Sequence, residues 1–324
     1  MAIHKWTIED IPEQTGKLVV VTGANSGLGY QTARALAGKG ARVVLAVRDE
    51  LKGRAAAAAI QQAYPWAQLE VMALDLAELR SVRRFADTFR AQYDTLALLI
   101  NNAGVMALPY RRTVDGFEMQ FGTNHLGHFA LTGLLLPAIL AAPGARVVTV
   151  SSGAHTNGSI DFDNLDGSKG YKPWRAYAQS KLANLLCAYE LQRRLAAAGA
   201  TALSVGCHPG WAATNLQAAG PRMAGARLRA RLMTVANRVL AQSAAMGALP
   251  ILYAATAEGV NGCDYIGPTS WGGMRGYPGK VRSSPRSYDA ALARRLWQVS
   301  EDLTGVRYEV LAGLPGQGAS GGAR

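Results

Sequence analysis

The sequence predicts a single-domain α/β fold, a doubly wound parallel sheet with helices on both faces. Three observations predict it: continuously apolar segments alternate with helical ones, a glycine-rich loop joins the first strand to the first helix, and no linker divides the chain. The chain has 324 residues, 49% of them hydrophobic, which is enough to bury a large core. We therefore expect one domain over residues 1–312.

The predicted strands and helices alternate along the chain. Apolar runs typical of buried parallel strands cover Lys17 to Thr22, Ala41 to Val47, Leu69 to Leu74, Leu96 to Asn101, Ala145 to Val150 and Thr201 to Cys207. The helical segments between them are Tyr30 to Gly38, Glu50 to Tyr64, Glu78 to Tyr93, Gly116 to Leu140 and Trp174 to Ala198. Repeated β-α-β units of this kind wind right-handedly into an open sheet.

Three segments do not follow this alternation. Gly153 to Pro173 is rich in Gly, Asn, Asp and Ser, which predicts a loop. Leu216 to Gln242 carries five arginines among Ala, Leu and Met, which predicts a mobile amphipathic lid over a substrate pocket or a solvated surface helix, with contact to a membrane surface as a third alternative. Pro268 begins a C-terminal extension, and Gly313 to Arg324 is expected to be a disordered tail.

Composition and charge argue against several classes of protein. The net charge of +12 comes from basic residues spread along the chain, so we expect no nucleic-acid partner. Cys187, Cys207 and Cys263 have neither disulfide nor zinc-ligand spacing, which predicts reduced thiols and no metal. No run of about eighteen apolar residues occurs, and Met1 to Gln14 lacks the apolar core of a secretory signal, so a cytoplasmic protein without a stable membrane anchor is expected.

Gly23, Gly27 and Gly29 lie between the first predicted strand and the first predicted helix. Glycines there let backbone N–H groups and the positive end of the helix dipole approach a pyrophosphate that a Cβ would exclude. The spacing is Gly-x-x-x-Gly-x-Gly rather than the commoner Gly-x-Gly-x-x-Gly, and tight turns also favour glycine for steric reasons. The loop therefore indicates a dinucleotide but does not prove one.

The end of the second strand bears on which dinucleotide is bound. Arg48 stands about twenty residues past the loop, where NAD-selective proteins place an acid for the ribose 2′-hydroxyl. An arginine there favours a 2′-phosphate, and so NADP over NAD. The alternative is that Asp49 faces the ribose, because its carboxylate would repel that phosphate.

Tyr177 and Lys181 are four residues apart in a predicted helix, and so lie on one face of it. An ammonium beside a phenol can stabilise the phenolate, which is what proton transfer by a tyrosine requires. The same spacing more often places a half-buried ring beside a solvated charge. Other motifs in the chain are therefore needed to decide whether Tyr177 and Lys181 are catalytic.

Those motifs follow one another at the ends of consecutive predicted strands. They are Thr22-Gly23-Ala24-Asn25-Ser26-Gly27-Leu28-Gly29, Asp75-Leu76, Asn101-Asn102-Ala103-Gly104, Asn124, Ser151-Ser152, Tyr177 with Lys181, and His208-Pro209-Gly210. This ordered set resembles the short-chain dehydrogenase/reductase family over nearly all of Lys17 to about Pro268. The resemblance implies a Rossmann fold and an NAD(P)-dependent oxidoreductase.

The resemblance also implies roles for individual residues. Tyr177 would act as general acid or base, Lys181 would lower its pKa and hold the nicotinamide ribose, Ser152 would steady the substrate oxygen, and Asn124 would hold a water in the proton relay. The residues implied to bind the cofactor are Gly23, Asn25, Ser26, Gly27, Leu28 and Gly29 in the loop, Arg48 at the 2′-phosphate, Asp75 and Leu76 beside the adenine, Asn102, Ala103 and Gly104 along the adenosine ribose, and Tyr177, Lys181, Pro209, Gly210 and Thr214 at the nicotinamide.

Three details resemble the branch of the family that contains retinol dehydrogenases. They are the segment Thr123 to Phe129, the long gap between Ser152 and Tyr177, and the segment Ser180 to Asn184. This branch implies a lipophilic ketone or aldehyde that is interconverted with its alcohol.

Two further expectations complete the sequence-based interpretation. The resemblance to the family implies a homodimer or homotetramer, formed through the long helices at Gly116 to Leu140 and Trp174 to Ala198. The alternative to an enzyme is a dinucleotide-sensing binding protein on the same fold, since a fold never establishes function. Such a sensor would need the glycine loop but not the four presumed catalytic residues.

Overall fold

Eight strands of the described residues form one sheet. The computed structural model describes residues 5–212 and 242–312 of the chain. The strands are β1 (Leu18–Thr22), β2 (Arg42–Val47), β3 (Gln68–Ala73), β4 (Leu98–Asn101), β5 (Arg146–Val150), β6 (Leu203–Cys207), β7 (Tyr265–Ser270) and β8 (Arg275–Val281). They lie in the order β3-β2-β1-β4-β5-β6-β7-β8, in which β1 to β7 are parallel and β8 is antiparallel to β7.

Helices cover both faces of the sheet, as the sequence predicts. The helices are α1 (Gly27–Gly38), α2 (Glu50–Ala63), α3 (Leu79–Gln92), α4 (Met119–Ala141), α5 (Pro173–Ala197), α6 (Ala244–Thr256), α7 (Ala290–Thr304) and α8 (Glu309–Ala312). Side chains of α1, α2 and α6 join the core on one face, and those of α3, α4, α5 and α7 join the core on the other. The expected doubly wound fold is confirmed.

The first strand shows how the two cores arise. Val19 and Val21 pack into the core with α1 and α6, whereas Val20 packs into the core with α3 and α4. All three side chains are fully buried. Because alternate residues of a strand point to opposite faces, a strand covered on both sides must be apolar throughout.

The predicted strands and helices up to β6 are present, with differences at their ends. The helix predicted from Gly116 begins at Met119 and contains a π-helical turn over Gly122–Leu126. The predicted loop from Gly153 to Pro173 opens with a 3₁₀ helix over Gly153–Asn157. Each of these two helical turns is only five residues long, which is too short for hydrophobic periodicity to predict it from the sequence.

The C-terminal extension is more regular than the sequence indicates. It holds the β7–β8 hairpin and α7, and α6 precedes it. Helix α6 is apolar on all sides and contains Pro250, and β8 contains glycine and proline, so both lack the usual periodic signal. A strand of that composition is tolerated because it lies at the edge of the sheet.

The extension packs over the helices that the sequence suggests for self-association. Trp297 of α7 is 1% exposed and lies edge-on to Phe129 of α4, with ring centroids 5.0 Å apart. The Tyr308 hydroxyl donates to the Phe129 carbonyl oxygen over 2.7 Å. Part of the α4 surface is thus covered by the same chain, and the expected dimer or tetramer stays a prediction.

One described helix, Met119–Ala141, is long and apolar enough to cross a membrane. However, 78% of its most apolar stretch is buried inside the fold, as in a core helix. The predicted cytoplasmic location stays a prediction. The predicted lid, apart from Gln242, lies outside the described residues, as do Thr214 and the predicted tail over residues 313–324.

Candidate active site

A crevice opens at the carboxyl ends of the strands, where the order of the strands in the sheet reverses between β1 and β4. Its first part is a cleft of about 660 Å³. The predicted cofactor residues that line this cleft are Gly23, Asn25, Ser26, Gly27, Leu28, Gly29, Arg48, Asp75, Leu76, Asn102, Ala103 and Gly104. The structure therefore brings together residues that lie up to 81 positions apart in the sequence.

The glycine loop has the form that an anion site needs. Gly23 and Gly27 have φ of +67° and +55°, in the left-handed region that favours glycine. A Cβ at Gly29 would lie 2.6 Å from Asn102 Nδ2 and would also clash with the Gly23 carbonyl oxygen. Ser26, the N-cap of α1, makes no side-chain capping bond, so the first N–H groups of the helix remain available to a phosphate.

Asn102 joins the loop after β4 to the end of β1. Its Nδ2 donates to the Thr22 carbonyl oxygen over 2.7 Å, and Thr22 Oγ1 accepts from the backbone N–H groups of Asn102 and Ala103, both over 2.9 Å. The side chain of Asn102 thus has a structural task, and its backbone lines the cleft. Nearby, Asp75 Oδ1 accepts from the Ala77 N–H over 2.9 Å and fixes the turn after β3.

The two charged residues after β2 have different surroundings. Asp49 caps α2, where Oδ1 accepts from the Lys52 N–H over 3.1 Å and Oδ2 pairs with Lys52 Nζ at 2.6 Å. The hydrogen bonds from Lys52 lower the pKa of Asp49. Arg48 is exposed and lines the cleft. Asp49 lines the cleft as well, but its carboxylate is occupied by its own helix, so Arg48 is the better placed of the two to meet an anion in the cleft.

Ser152, Tyr177 and Lys181 meet in the second part of the crevice, a cavity of about 380 Å³. This cavity shares Leu28, Asn102 and Gly104 with the first cleft. Pro209 and Gly210, predicted to lie at the nicotinamide, line it as well. The two parts together form one continuous site.

Lys181 is deeply buried and held in place from two directions. Its Nζ donates to the Val150 carbonyl oxygen over 3.0 Å, and Ser151 Oγ donates to the Lys181 carbonyl oxygen over 2.8 Å. Nζ lies 5.9 Å from the centroid of the Tyr177 ring. Helix α5 thus places both side chains on the face toward the cavity, as their spacing predicts.

Burial dominates the electrostatics of this pair. It raises the pKa of Tyr177, and the hydrogen bond with Ser152 opposes that rise. Burial also lowers the pKa of Lys181 to about 8. In this structure the hydrogen bond with Ser152 is what lowers the pKa of Tyr177. The sequence-based expectation was that Lys181 would lower it.

Asn124 lies beside the cavity in the π turn of α4, bonded to the loop after β4 and to α5. Its Oδ1 accepts from the Val105 N–H over 2.8 Å, and its Nδ2 donates to the Val105 carbonyl oxygen and to Ser180 Oγ, both over 2.9 Å. Its backbone carbonyl oxygen lies 3.0 Å from His128 Nδ1. The side chain thus joins the π turn of α4 to the loop after β4 and to α5, and the expected role of Asn124 in holding a water stays a prediction.

The substrate side of the cavity was largely missed from the sequence. Its apolar lining includes Met106, Trp174, Trp211 and Met274. Trp174 precedes Tyr177 by three residues on α5, and their rings are 6.0 Å apart, a helical spacing that could have been noticed. Met274 comes from the β7–β8 hairpin, which no local pattern indicates.

Two further observations concern His208 and the side chains that could bind a metal ion. His208 lines the cavity but stacks on Tyr265 with ring centroids 5.1 Å apart, and burial lowers its pKa to about 4. Its packing agrees with its omission from the expected catalytic set. Among the described residues, no group of three or more His, Cys, Asp or Glu side chains could hold a metal ion.

Comparison with known proteins agrees with this geometry. The family model for short chain dehydrogenases matches residues 17–223. The chain belongs to the short-chain dehydrogenase family and is an oxidoreductase of that family. Its relatives include proteins named retinol dehydrogenase, which confirms the resemblance to that branch.

Particular relatives cover most of the chain. Human retinol dehydrogenase 12 is 44% identical over 297 residues, which are 91% of this chain and 88% of the relative. Polyprenol dehydrogenase of Danio rerio is 40% identical over 93% of this chain and 90% of the relative. A crystal structure of an uncharacterized protein from Mycobacterium paratuberculosis is 46% identical, with a TM-score of 0.78, and the match covers 94% of this chain and 99% of that one.

A more distant crystal structure carries a dinucleotide. It is a short chain dehydrogenase from Escherichia coli CFT073 complexed with NADPH, 25% identical to this chain, with a TM-score of 0.53. The match covers 64% of this chain and 82% of that chain. Members of the family use NAD or NADP.

Proposed function

We propose that this protein is an NADP(H)-dependent oxidoreductase that interconverts a lipophilic ketone or aldehyde and its alcohol. The observation that carries the proposal is the continuity of the crevice: Ser152, Tyr177 and Lys181 line a cavity that opens directly into a glycine-rich dinucleotide cleft. A binding protein would need only the cleft.

Tyr177, Ser152 and Lys181 have different roles in proton transfer. When bound, the dinucleotide supplies or accepts the hydride at its nicotinamide. Tyr177 gives its hydroxyl proton to the carbonyl oxygen during reduction and takes a proton from the alcohol during oxidation. Ser152 Oγ holds the same oxygen, and Lys181, fixed by the Val150 carbonyl, supplies the positive charge that favours the phenolate.

The preference for NADP rests on the residues after β2. Asp49 is engaged in capping α2 and in an exposed ion pair that places the Lys52 ammonium beside its carboxylate. Arg48 is the residue free to bind a 2′-phosphate, and a guanidinium suits such an anion by charge and by geometry. The E. coli neighbour crystallised with NADPH supports this choice.

The substrate class follows from the cavity wall. The methionine and tryptophan side chains that line it offer apolar surface, and the polar groups are concentrated around Ser152 and Tyr177. Such a site orients one oxygen and accepts an apolar body. The names of the relatives, retinol and polyprenol dehydrogenases, point to the same class of substrate.

The test is the variant Tyr177→Phe. Loss of the proton donor should lower kcat about 10²–10⁴-fold on any accepted carbonyl compound, with NADPH binding unchanged, because the ring keeps its packing. NADPH oxidation is measured with retinal, long aliphatic aldehydes and a short polar aldehyde, and NADPH binding by fluorescence titration. Undiminished turnover in the variant would remove Tyr177 from the mechanism. Binding of NADPH by the unmodified protein without turnover of any carbonyl would favour the binding-protein alternative.

A further inference from the structure

Ser152 is held by a residue that lies outside the cavity. The Ser152 carbonyl oxygen accepts two hydrogen bonds from His155, one from its backbone N–H over 3.0 Å and one from the ring Nδ1 over 2.7 Å. His155 is 3% exposed. It is therefore a buried imidazole whose hydrogen bonding is directed at the backbone of the serine that faces Tyr177.

The hydrogen bonds identify which ring nitrogen of His155 carries the proton. Nε2 lies 3.0 Å from the backbone nitrogen of Ser284. A backbone N–H can only donate, so Nε2 must accept and carries no proton. The single ring proton then resides on Nδ1 and is donated to the Ser152 carbonyl oxygen. In the other tautomer a protonated Nε2 would face the Ser284 N–H, which is also a donor. The unprotonated Nδ1 would face the Ser152 carbonyl oxygen, which is also an acceptor.

The C-terminal extension fixes the donor on the far side of His155. Ser283 Oγ shares a hydrogen bond of 2.9 Å with the Tyr189 hydroxyl. The rings of Tyr189 and Tyr288 stack with centroids 5.1 Å apart and planes 8° apart. Arg286 Nη1 donates to the Gly158 carbonyl oxygen over 2.6 Å. These contacts surround Ser284, so the extension presents its N–H to the ring at a set position.

We propose that His155 is a positioning residue for the reaction, held in its Nδ1–H form by Ser284 and aiming Ser152 at the substrate oxygen. The inference rests on the proposed function, since it assumes that Ser152 binds that oxygen. Ser152 follows β5 in a loop, and its N-cap conformation is set by one turn of 3₁₀ helix. A second hydrogen bond to its carbonyl oxygen restricts the rotation that would turn its hydroxyl away from Tyr177. Small misplacements of a group that binds the reacting atom are costly to the rate.

Two substitutions at His155 separate positioning from packing. In His155→Asn the amide Nδ2 can take the place of the ring Nδ1 and donate to the Ser152 carbonyl oxygen, although the ring is lost. In His155→Phe an aromatic ring is kept, but the two hydrogen bonds of the imidazole, to the Ser152 carbonyl oxygen and from the Ser284 N–H, are lost. We expect the Phe variant to lose about tenfold to a hundredfold in kcat and the Asn variant much less, with KM and NADPH affinity little changed in both.

The order of the two variants is the decisive result. If His155 only fills space, kcat should follow stability, and the variant that keeps the aromatic ring should be the more active one. Melting temperatures of both variants are therefore measured alongside kcat. Equal activity of the two variants, or higher activity of the Phe variant, would overturn the proposal. Ser284→Ala is the matched control: it keeps the backbone N–H and removes an oxygen that has no hydrogen-bond partner among the described residues, so kcat should not change.

A spectroscopic measurement does not depend on turnover. The nitrogen chemical shifts of a ¹⁵N-histidine-labelled sample distinguish a protonated ring nitrogen from an unprotonated one, and the His155→Asn spectrum assigns the signal. We expect protonated Nδ1 and unprotonated Nε2. The opposite tautomer would overturn the proposal even in an active enzyme. The expected tautomer in a protein that turns over no carbonyl would leave the His155 contacts intact and refute the proposed function instead.

Discussion

The two parts of the crevice are built in different ways. The dinucleotide cleft is lined by the loops that directly follow β1 to β4 and by the start of α2, and four glycines are among its lining residues. The cavity around Tyr177 is lined by residues of β5 and the loop after it, of α5, of the loop after β6 and of the β7–β8 hairpin, which meet across long distances in sequence. The first part therefore has one continuous motif in its glycine loop, whereas the second combines predicted residues such as Ser152, Tyr177 and Lys181 with an apolar lining that the sequence left largely unpredicted.

The difference also appears in the charged groups that each part uses. Arg48 stands exposed at the edge of the cleft, where a guanidinium costs little to hold before a phosphate arrives. Lys181 is 3% exposed in the cavity, where its ammonium is costly to desolvate and needs a fixed partner. We therefore expect substitution of Arg48 to weaken dinucleotide binding and substitution of Lys181 to lower kcat.

The largest effect is expected from Lys181→Met. The variant removes the positive charge beside Tyr177 while keeping an apolar chain of similar length, so kcat should fall about 10²–10⁴-fold. The free energy of unfolding should not fall at neutral pH, because burial disfavours the charged form of Lys181. Steady-state kinetics and urea unfolding of the same preparation measure both quantities.

Asn184→Ala is the control for this variant. Asn184 Nδ2 donates to the same Val150 carbonyl oxygen as Lys181, over 3.2 Å, but carries no charge. Its loss should therefore affect kcat far less than loss of Lys181. Equal losses in the two variants would show that the carbonyl contact matters rather than the charge.

A smaller effect, confined to the other part of the crevice, is expected from Arg48→Ser. Loss of one charge-assisted contact should weaken NADPH binding about tenfold to a hundredfold and leave NADH binding unchanged. Arg54→Ser is the matched control, since Arg54 also lines the cleft but is paired with Glu50 over 3.1 Å. Fluorescence titration with both dinucleotides measures the affinities. Equal affinity of the unmodified protein for NADPH and NADH would contradict the assignment to Arg48.

These contrasts explain what could be read from the sequence. The strands up to β6 and the glycine loop were predicted because apolar runs and glycine spacing are local properties. Helix α6 and the β7–β8 hairpin were not, since an all-apolar helix has no periodicity and a glycine- and proline-containing edge strand looks like a loop. The hydrogen bonds of Asn124 to Val105 and Ser180 depend on three segments meeting, which spacing alone does not show.

The distribution of histidines also differs between the two halves of the described chain. Residues 5–124 contain none, whereas His125, His128, His155 and His208 are all buried around the catalytic half. Burial lowers the pKa of each, to about 3 for His125. The unfolded chain, with a histidine pKa near 6.5, therefore binds protons in a range where the folded protein does not. We therefore expect the stability that these histidines contribute to be fully present above about pH 6.5 and to be lost as the pH falls below it.

The smallest predicted effect isolates one of these histidines. His125 Nε2 lies 2.8 Å from Ser300 Oγ, whose own hydrogen goes to the Leu296 carbonyl oxygen, so the ring nitrogen is the donor. In His125→Gln an amide can make the same donation but does not titrate. The loss of unfolding free energy between about pH 8 and about pH 5.5 should then be smaller by about 1 kcal/mol than in the unmodified protein, as measured by urea unfolding. An unchanged loss would mean that the His125 imidazole binds its proton equally well in the folded and unfolded states, and the acid sensitivity would then have to come from the other buried histidines or from carboxylates.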